Sequence, residues 1–388
     1  MNFIFFSPQF PSNNTEFCYH LHKCGANVLG IGDVEFSSLN EKLKLSLTEY
    51  YKINDMENYD EVFRAVAFFS HKYGKIDRFE SLNEYWLRTE AKIRTDFNIY
   101  GTKMDFVSNL NHKSKMKDFF HKANVETIKF LNGADITSSK EFINIVGYPV
   151  IIKPDLGSGS AMTYKISSNL ELDNFFNNKP ENISFIIEEF IDGIILTYDG
   201  LVDKDGNVVF AVSHEFDQSI MDVVNTDNHL YYFCLKEINP DLETAGQNIL
   251  KAFDVRERFF HIELFKSKKE EKIIALEVNM RPPGAWMTDA INFSYDIDIY
   301  KEWASMVVKN EVGGPYPGKY YTGYAGRKKH KYYVHSHEEI LQTYLSEIVN
   351  FGDIEDVFSR AMGNSAYQFR SINLETIKEI VSYIHLEK

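Results

Sequence analysis

Two short segments hold the most specific chemistry in the chain. They are His261-Ile262-Glu263-Leu264-Phe265 and Leu276-Glu277-Val278-Asn279-Met280-Arg281, on either side of the charged turn Ser267–Lys272. Both alternate apolar and polar residues, the period of a half-buried strand. A hairpin centred on Glu270 sets Glu263 opposite Glu277, each seven residues from the centre, and puts Glu277, Asn279 and Arg281 on one face. Directly opposed carboxylates repel unless something positive stands between them. Two carboxylates and an amide oxygen suit Mg2+ bound together with substrate phosphates. Arg281 extends the face with a fork-shaped donor for phosphate or carboxylate. A solvent-facing polar stripe would alternate in the same way, but opposed glutamates suit it poorly.

A second segment runs from Tyr148 to Ala161. Its apolar strand ends at Lys153 and is followed by the loop Gly157-Ser158-Gly159-Ser160. Glycines let backbone N–H groups approach phosphate oxygens, serines add donors, and the lysine supplies local positive charge. A plain hairpin with a surface lysine fits the same residues. The third segment, Phe185 to Gly193, is a buried strand with Glu188 and Glu189 followed by Phe190, Ile191 and a glycine turn. Its backbone groups can hold a nucleotide base, although an edge strand with solvated acids reads the same way. Other features carry less. Asp203–Asn207 lacks a full calcium-loop pattern and reads as a hairpin turn. Arg327–Lys331 reads as a solvated basic loop, and His20, His22 and His112 make no metal set. Trp286 reads as a core residue, with a place in a substrate pocket as the alternative.

The elements that must position these residues fall into two parts. The N-terminal part alternates strand and helix: a strand at Phe3–Phe6, a helix over Thr15–Lys23 stopped by Gly25, and a strand at Asn27–Ile31. A helix over Tyr59–His71 follows, then a strand at Ile76–Phe79 running into Ser81 and Glu84. This alternation predicts a parallel sheet flanked by helices. The loop after the first strand, Ser7–Pro11, has no glycine and so lacks the dinucleotide fingerprint. An amphipathic helix then opens with Asn111 as N-cap and Met116, Phe119 and Phe120 facing inward. Beyond it, strands are predicted at Tyr148–Pro154, Ala161–Ile166, Ser184–Phe190, Ile195–Val202, Val208–His214, Phe259–Lys266 and Ile273–Asn279. Helices are predicted at Asn169–Asn177 and Leu242–Phe253. Gly313–Gly318 reads as a linker to a small α+β piece.

Composition limits the partners. The chain has 388 residues, 44 % hydrophobic and 15 % aromatic, with 42 basic against 56 acidic residues and a net charge of −14. That balance repels a polyphosphate backbone and an anionic membrane surface, so neither nucleic acid nor membrane is expected as a partner. Three cysteines fit no disulfide framework, and a reducing cytoplasm is expected. No apolar run reaches the roughly 18 residues of a membrane helix. Phe3–Phe6 lacks the basic flank of a signal peptide.

The order of these motifs resembles the ATP-grasp superfamily over about residues 1–310. The carriers are Lys113 in Asn-His-Lys-Ser-Lys, Lys153 with its Gly/Ser loop, the hinge Glu188-Glu189-Phe190-Ile191, and Glu263 with Glu277-x-Asn279-x-Arg281. The resemblance implies α/β and α+β architecture in three parts. Residues 1–110 form a Rossmann-like domain, and residues 111–315 form the ATP-grasp fold, with subdomains at about 111–185 and 186–315. Residues 316–388 form a C-terminal α+β region. It further implies ATP with Mg2+, as two ions sharing Glu277, or Mn2+ in its place, held by Glu263, Glu277 and Asn279. Lys113, Lys153 and Gly157, Ser158, Gly159 and Ser160 would meet the phosphates, and Glu188, Glu189 and Ile191 the base. Lys153 and Arg281 would act in catalysis.

The implied reaction is a carboxylate–amine ligation through an acylphosphate, as in L-amino acid ligases. A small-molecule carboxylate and an amine would be its substrates, and a homodimer is compatible with it. A bicarbonate-using carboxylase or carbamoyl-phosphate-type enzyme, and an ATP-binding regulatory module without turnover, are the alternatives. One departure stands out. Where the family often has Gly-x-Glu after the hinge, this chain has Gly193-Ile194-Ile195, leaving Asp192 or Asp199 to take that contact.

Overall fold

The computed structural model describes residues 1–157 and 162–388. Four strands, Asn2–Phe6, Asn27–Gly32, Glu49–Lys52 and Arg78–Glu80, form a parallel sheet in the spatial order third, second, first, fourth. Phe3, Ile4, Phe5 and Phe6 are all fully buried, as a parallel strand covered on both faces requires. The sheet's helices include Asn14–Lys23 and Tyr59–Tyr73, close to the expected spans. Glu49–Lys52 was not anticipated. It is an edge strand of sequence Glu-Tyr-Tyr-Lys with no clear apolar alternation.

Two further sheets follow, the smaller antiparallel and the larger antiparallel except where Ile273–Asn279 pairs in parallel with Glu126–Thr127. The smaller has the order Phe130–Asn132, Phe185–Glu189, Val150–Pro154, Tyr164–Ile166. The larger has ten strands and holds the Arg258–Ser267 and Ile273–Asn279 hairpin beside the long Gly193–Val202 strand. The C-terminal strands Tyr321–Arg327, Ile348–Asp353 and Ser365–Ser371 extend this same sheet, joined to it through Tyr231–Cys234. The helix Pro240–Ala252 packs on the large sheet, with Leu242, Ile249 and Leu250 among a core that includes Phe260, Ile262 and Leu264.

The helix Lys113–Lys122 begins differently from expectation. His112 is its N-cap, and neither it nor Asn111 caps with a side chain. Asp155, from the end of the Val150–Pro154 strand, accepts instead from Ser114 N at 2.7 Å and Ser114 Oγ at 2.9 Å. A distant acceptor does the local residue's work, because the helix start is docked on that strand. Met116 and Phe120 are buried as expected, and Phe119 is half-buried.

The basic run also departs from the solvated-loop reading. Arg327 and Lys328 are buried, Arg327 donating to Ile384 O and Lys328 pairing with Asp227 at 2.8 Å. Trp286 packs edge-on against Tyr324 at the margin of the core. Among the described residues, no helix is long and apolar enough to cross a membrane.

Candidate active site

The hairpin adopts the expected register. Glu263 pairs with Glu277 and His261 with Asn279, and a bulge follows between Glu263 and Leu264. Ile262, Leu264 and Val278 turn into the core, so the polar alternates face the other way. That face borders a cleft of about 1350 Å3 lined by Glu263, Glu277, Asn279, Arg281, Lys113 and Lys153. Residues from three separate stretches of sequence therefore meet at one opening. Glu189 and Ile191 line the same cleft. Gly157 receives the Lys113 Nζ hydrogen bond on its carbonyl oxygen, and Ser158, Gly159 and Ser160 lie outside the described residues.

Lys153 sits near the end of its strand, with Nζ 2.7 Å from Glu188. Lys117 approaches the same carboxylate at 3.0 Å and donates to Leu276 O at 3.1 Å. Burial pushes the Glu188 carboxyl up, but the Lys117 and Lys153 charges outweigh it and hold the group at about 2. The Glu188 side chain is thus occupied as a tether between two lysines, and only its backbone is left to meet a base. Lys117 went unnoticed in the sequence, although it lies four residues after Lys113 on the same helix. Lys113 reaches Glu277 at 3.5 Å. Glu189 is fixed by the Lys129 backbone N–H at 2.9 Å.

Behind Glu263 runs a buried chain of polar groups. His261 Nε2 lies 3.3 Å from Glu263 Oε1, and His261 Nδ1 lies 2.6 Å from Asp199. Asp199 also pairs with His214 at 2.7 Å. Burial alone would lower the His261 imidazole, but the Asp199 carboxylate raises it to about 9. Partial desolvation pushes the half-buried Glu263 carboxyl up, but the imidazolium outweighs it and helps hold the group below its ordinary range. Asp199 is completely buried and committed to this chain. Asp192 stands on the cleft and pairs with Lys268 at 2.9 Å.

Glu84, expected only as a residue that a strand runs into, has no role in the sequence reading. It belongs to the short helical turn Glu84–Trp86, just beyond the last strand of the N-terminal sheet. Its carboxylate lies 3.5 Å from Arg281 Nε and accepts from the Asn279 amide nitrogen at 2.6 and 3.3 Å, in the one amide orientation that pairs donor with acceptor. Burial raises its carboxyl to about 7, with the Glu277 and Glu263 charges adding to that and Arg281 opposing it.

Among the described residues, no cluster of three or more His, Cys, Asp or Glu could hold a metal ion. The donor set here is two carboxylates and one carboxamide. That set fits a cation sharing its shell with phosphate oxygens and does not fit a cage built wholly of protein ligands.

Residues 146–289 match the family model of the ATP-grasp domain. The L-arginine-specific L-amino acid ligase of Bacillus subtilis is 22% identical over 240 residues, 59% of this chain and 57% of that protein. The alanine–anticapsin ligase of Bacillus subtilis strain 168 is 25% identical over 147 residues, 34% of this chain and 31% of that protein. The chain therefore spans about half, or less, of the length of these curated relatives. Among solved structures, an L-amino acid ligase from Bacillus licheniformis superposes with a TM-score of 0.76 at 15% identity, covering 100% of this chain and 99% of that one. An N5-carboxyaminoimidazole synthetase from Staphylococcus aureus gives 0.70 at 12% identity, covering 98% and 96%. The match to the ATP-grasp domain is confined to residues 146–289, and over its whole length the chain shares the fold of these solved structures.

Proposed function

We propose that the protein is an ATP-dependent carboxylate–amine ligase that forms an acylphosphate and releases ADP and phosphate, with an amino acid among its substrates. The observation that carries this reading is the opposed pair Glu263 and Glu277, within one cleft with Lys113, Lys153 and Arg281. The amino acid ligases among its relatives support the substrate class. The three cysteines are free, which suits a reducing cytoplasm.

In the first step a carboxylate oxygen bonds to the γ-phosphorus, and the bond from that phosphorus to the β-bridging oxygen breaks, releasing ADP. In the second an amine nitrogen bonds to the acyl carbon, the carbon–oxygen bond to phosphate breaks, and the nitrogen loses a proton. Lys113 and Lys153 would hold the phosphates, and the Glu188 tether limits where the Lys153 ammonium can go. Backbone groups at Glu189 and Ile191 would meet the base. Arg281 would offset charge on the transferring group or on the substrate carboxylate. Mg2+ or Mn2+ held by Glu263, Glu277 and Asn279, as two ions sharing Glu277, would supply charge neutralisation at the phosphates. In the proposed division these residues fall in 111–315, between the N-terminal domain at 1–110 and the C-terminal region at 316–388 in the sequence.

ADP release by the purified protein, measured with Mg-ATP against pairs of amino acids and against bicarbonate with biotin, tests the reading. Release that needs an amino acid is expected. Release with bicarbonate and biotin, but with no amino acid pair, overturns it in favour of a carboxylase. Tight nucleotide binding with no release under any acceptor overturns it in favour of a regulatory module.

A further inference from the structure

We infer that Glu84, contributed by the N-terminal domain, is a positioning residue that sets the Asn279 carboxamide and the Arg281 guanidinium toward the cleft. This rests on the reading above for what those two residues do. The geometry begins with Asn83, whose side chain accepts from Tyr85 N and starts the turn that aims Glu84 inward. The Glu84 side chain is 8% exposed. It claims the amide nitrogen of the buried Asn279 at 2.6 Å, so the amide oxygen is the end left for the cleft.

Turned over, the amide would present N–H groups to any cation held by Glu263 and Glu277, which is the wrong sign of dipole. Glu84 thus decides which end of Asn279 serves. The same carboxylate faces Arg281 Nε at 3.5 Å, while Arg281 Nη1 donates to Pro282 O at 2.9 Å. With those two nitrogens engaged, Nη2 is the part of the fork left for a ligand. Stability alone would not choose a third carboxylate beside Glu263 and Glu277, since burying it among like charges is costly. Orienting partners of this kind typically change metal affinity or activity by 10–100-fold when removed.

Mn2+ and ADP provide a probe that does not depend on turnover. Mn2+ binding at saturating ADP, read from the paramagnetic resonance of free Mn2+, is compared for the wild type, Glu84→Ala and Glu84→Gln. Glu84→Ala is expected to raise the Mn2+ concentration for half-saturation at least about tenfold. ADP release should fall through kcat, with the KM for ATP changed by less than about threefold. Glu84→Gln, whose carbonyl oxygen still accepts from Asn279, is expected to return Mn2+ binding to within about threefold of the wild type.

Arg78→Met serves as control. It breaks the Arg78–Glu257 contact between the same two parts of the molecule and should lower the melting temperature with no change in Mn2+ binding. Wild-type Mn2+ affinity in Glu84→Ala, or equal loss in Glu84→Gln and Glu84→Ala, overturns the inference. If Glu84→Ala does not fold, Glu84→Asp, about 1.5 Å shorter, takes its place, and wild-type Mn2+ affinity there overturns it equally. A wild type that binds Mn2+ with ADP but turns over no acceptor refutes the ligase reading, while the Mn2+ comparison still decides the role of Glu84.

Discussion

Two networks of buried charge lie close together in this molecule, and they are closed to different degrees. At the seam between the N-terminal sheet and the Arg258–Ser267 strand, Arg94 meets Glu90 at 2.6 Å and Glu80 at 2.9 Å, and donates to Phe79 O. Arg258 reaches Glu80 at 3.0 Å, and Glu90 accepts from Ser81 N at 2.6 Å. Along the cleft, Lys113 stands 3.5 Å from Glu277, Arg281 stands 3.5 Å from Glu84, and His261 stands 3.3 Å from Glu263. Both sets are built from glutamates and cations. The seam is paired at short range, with only Glu80 Oε2 lacking a hydrogen bond among the groups named, whereas the cleft leaves room between partners and opens to solvent. Charge that is already paired at short range holds a structure together, and charge held slightly apart is available to a ligand. The Lys117–Glu188–Lys153 group borders the cleft but is tightly paired, so it anchors a lysine that faces the opening.

Substitutions can break or sharpen that division. The largest effect is expected for Glu277→Gln, which should lower ADP release at least about 100-fold with little change in melting temperature. A rate within threefold of the wild type would remove the cleft from the chemistry. Next comes a crossed pair. Lys113→Met should cost on the order of 100-fold in ADP release and little stability. Arg94→Met should cost roughly 3–5 kcal/mol in urea unfolding by stranding Glu80 and Glu90, while the folded fraction keeps its rate. Loss of activity in Arg94→Met at full stability would reverse the two assignments. Arg281→Lys keeps the charge but loses the fork, and a fall in kcat on the order of tenfold is expected.

The smallest effect concerns a third set, a partly buried histidine pair whose surroundings favour the neutral form. His229 and His385 stack with centroids 4.4 Å apart. Burial and then Lys331 hold His229 down at about 4, and burial and then His229 hold His385 down at about 3. Unfolded imidazoles take up protons near 6.5, so stability is lost as the pH falls from about 6.5 toward 4 and below. His385→Gln removes one share of that loss. Between pH 7 and pH 5 its unfolding free energy should fall less than that of the wild type, by on the order of 1 kcal/mol. Equal slopes in denaturant titrations at the two pH values would contradict the burial of a neutral pair.

What the chain's order of residues revealed, and what it concealed, follows the range of the interactions. The Glu263–Glu277 register was readable because a period-two pattern and one charged turn fix a hairpin locally. The parallel N-terminal sheet was readable because apolar strands and amphipathic helices alternate in short spans. Glu84 was not, since its partners Asn279 and Arg281 are almost two hundred residues away and its own turn has no distinguishing pattern. The Lys113–Lys122 helix shows the same limit. Asn111 has the right chemistry for a cap, yet Asp155 fills that role from a neighbouring strand. Asp199 was a candidate to replace a missing nucleotide contact, and only the packing of His214 and His261 shows it committed elsewhere.

The C-terminal strands bear on how freely this protein's parts could be exchanged. Tyr324 lies between Tyr232 on one side and Gln368 on the other, within one continuous sheet that also contains the Glu263–Glu277 hairpin. Gln368 in turn donates to Trp286 O at 2.8 Å, five residues after Arg281. A tail borrowed from another chain would have to reproduce a strand register and a side-chain contact as well as a linker length. Swapping this region is a matter of weaving one fabric into another, and the seam would run close to the cleft.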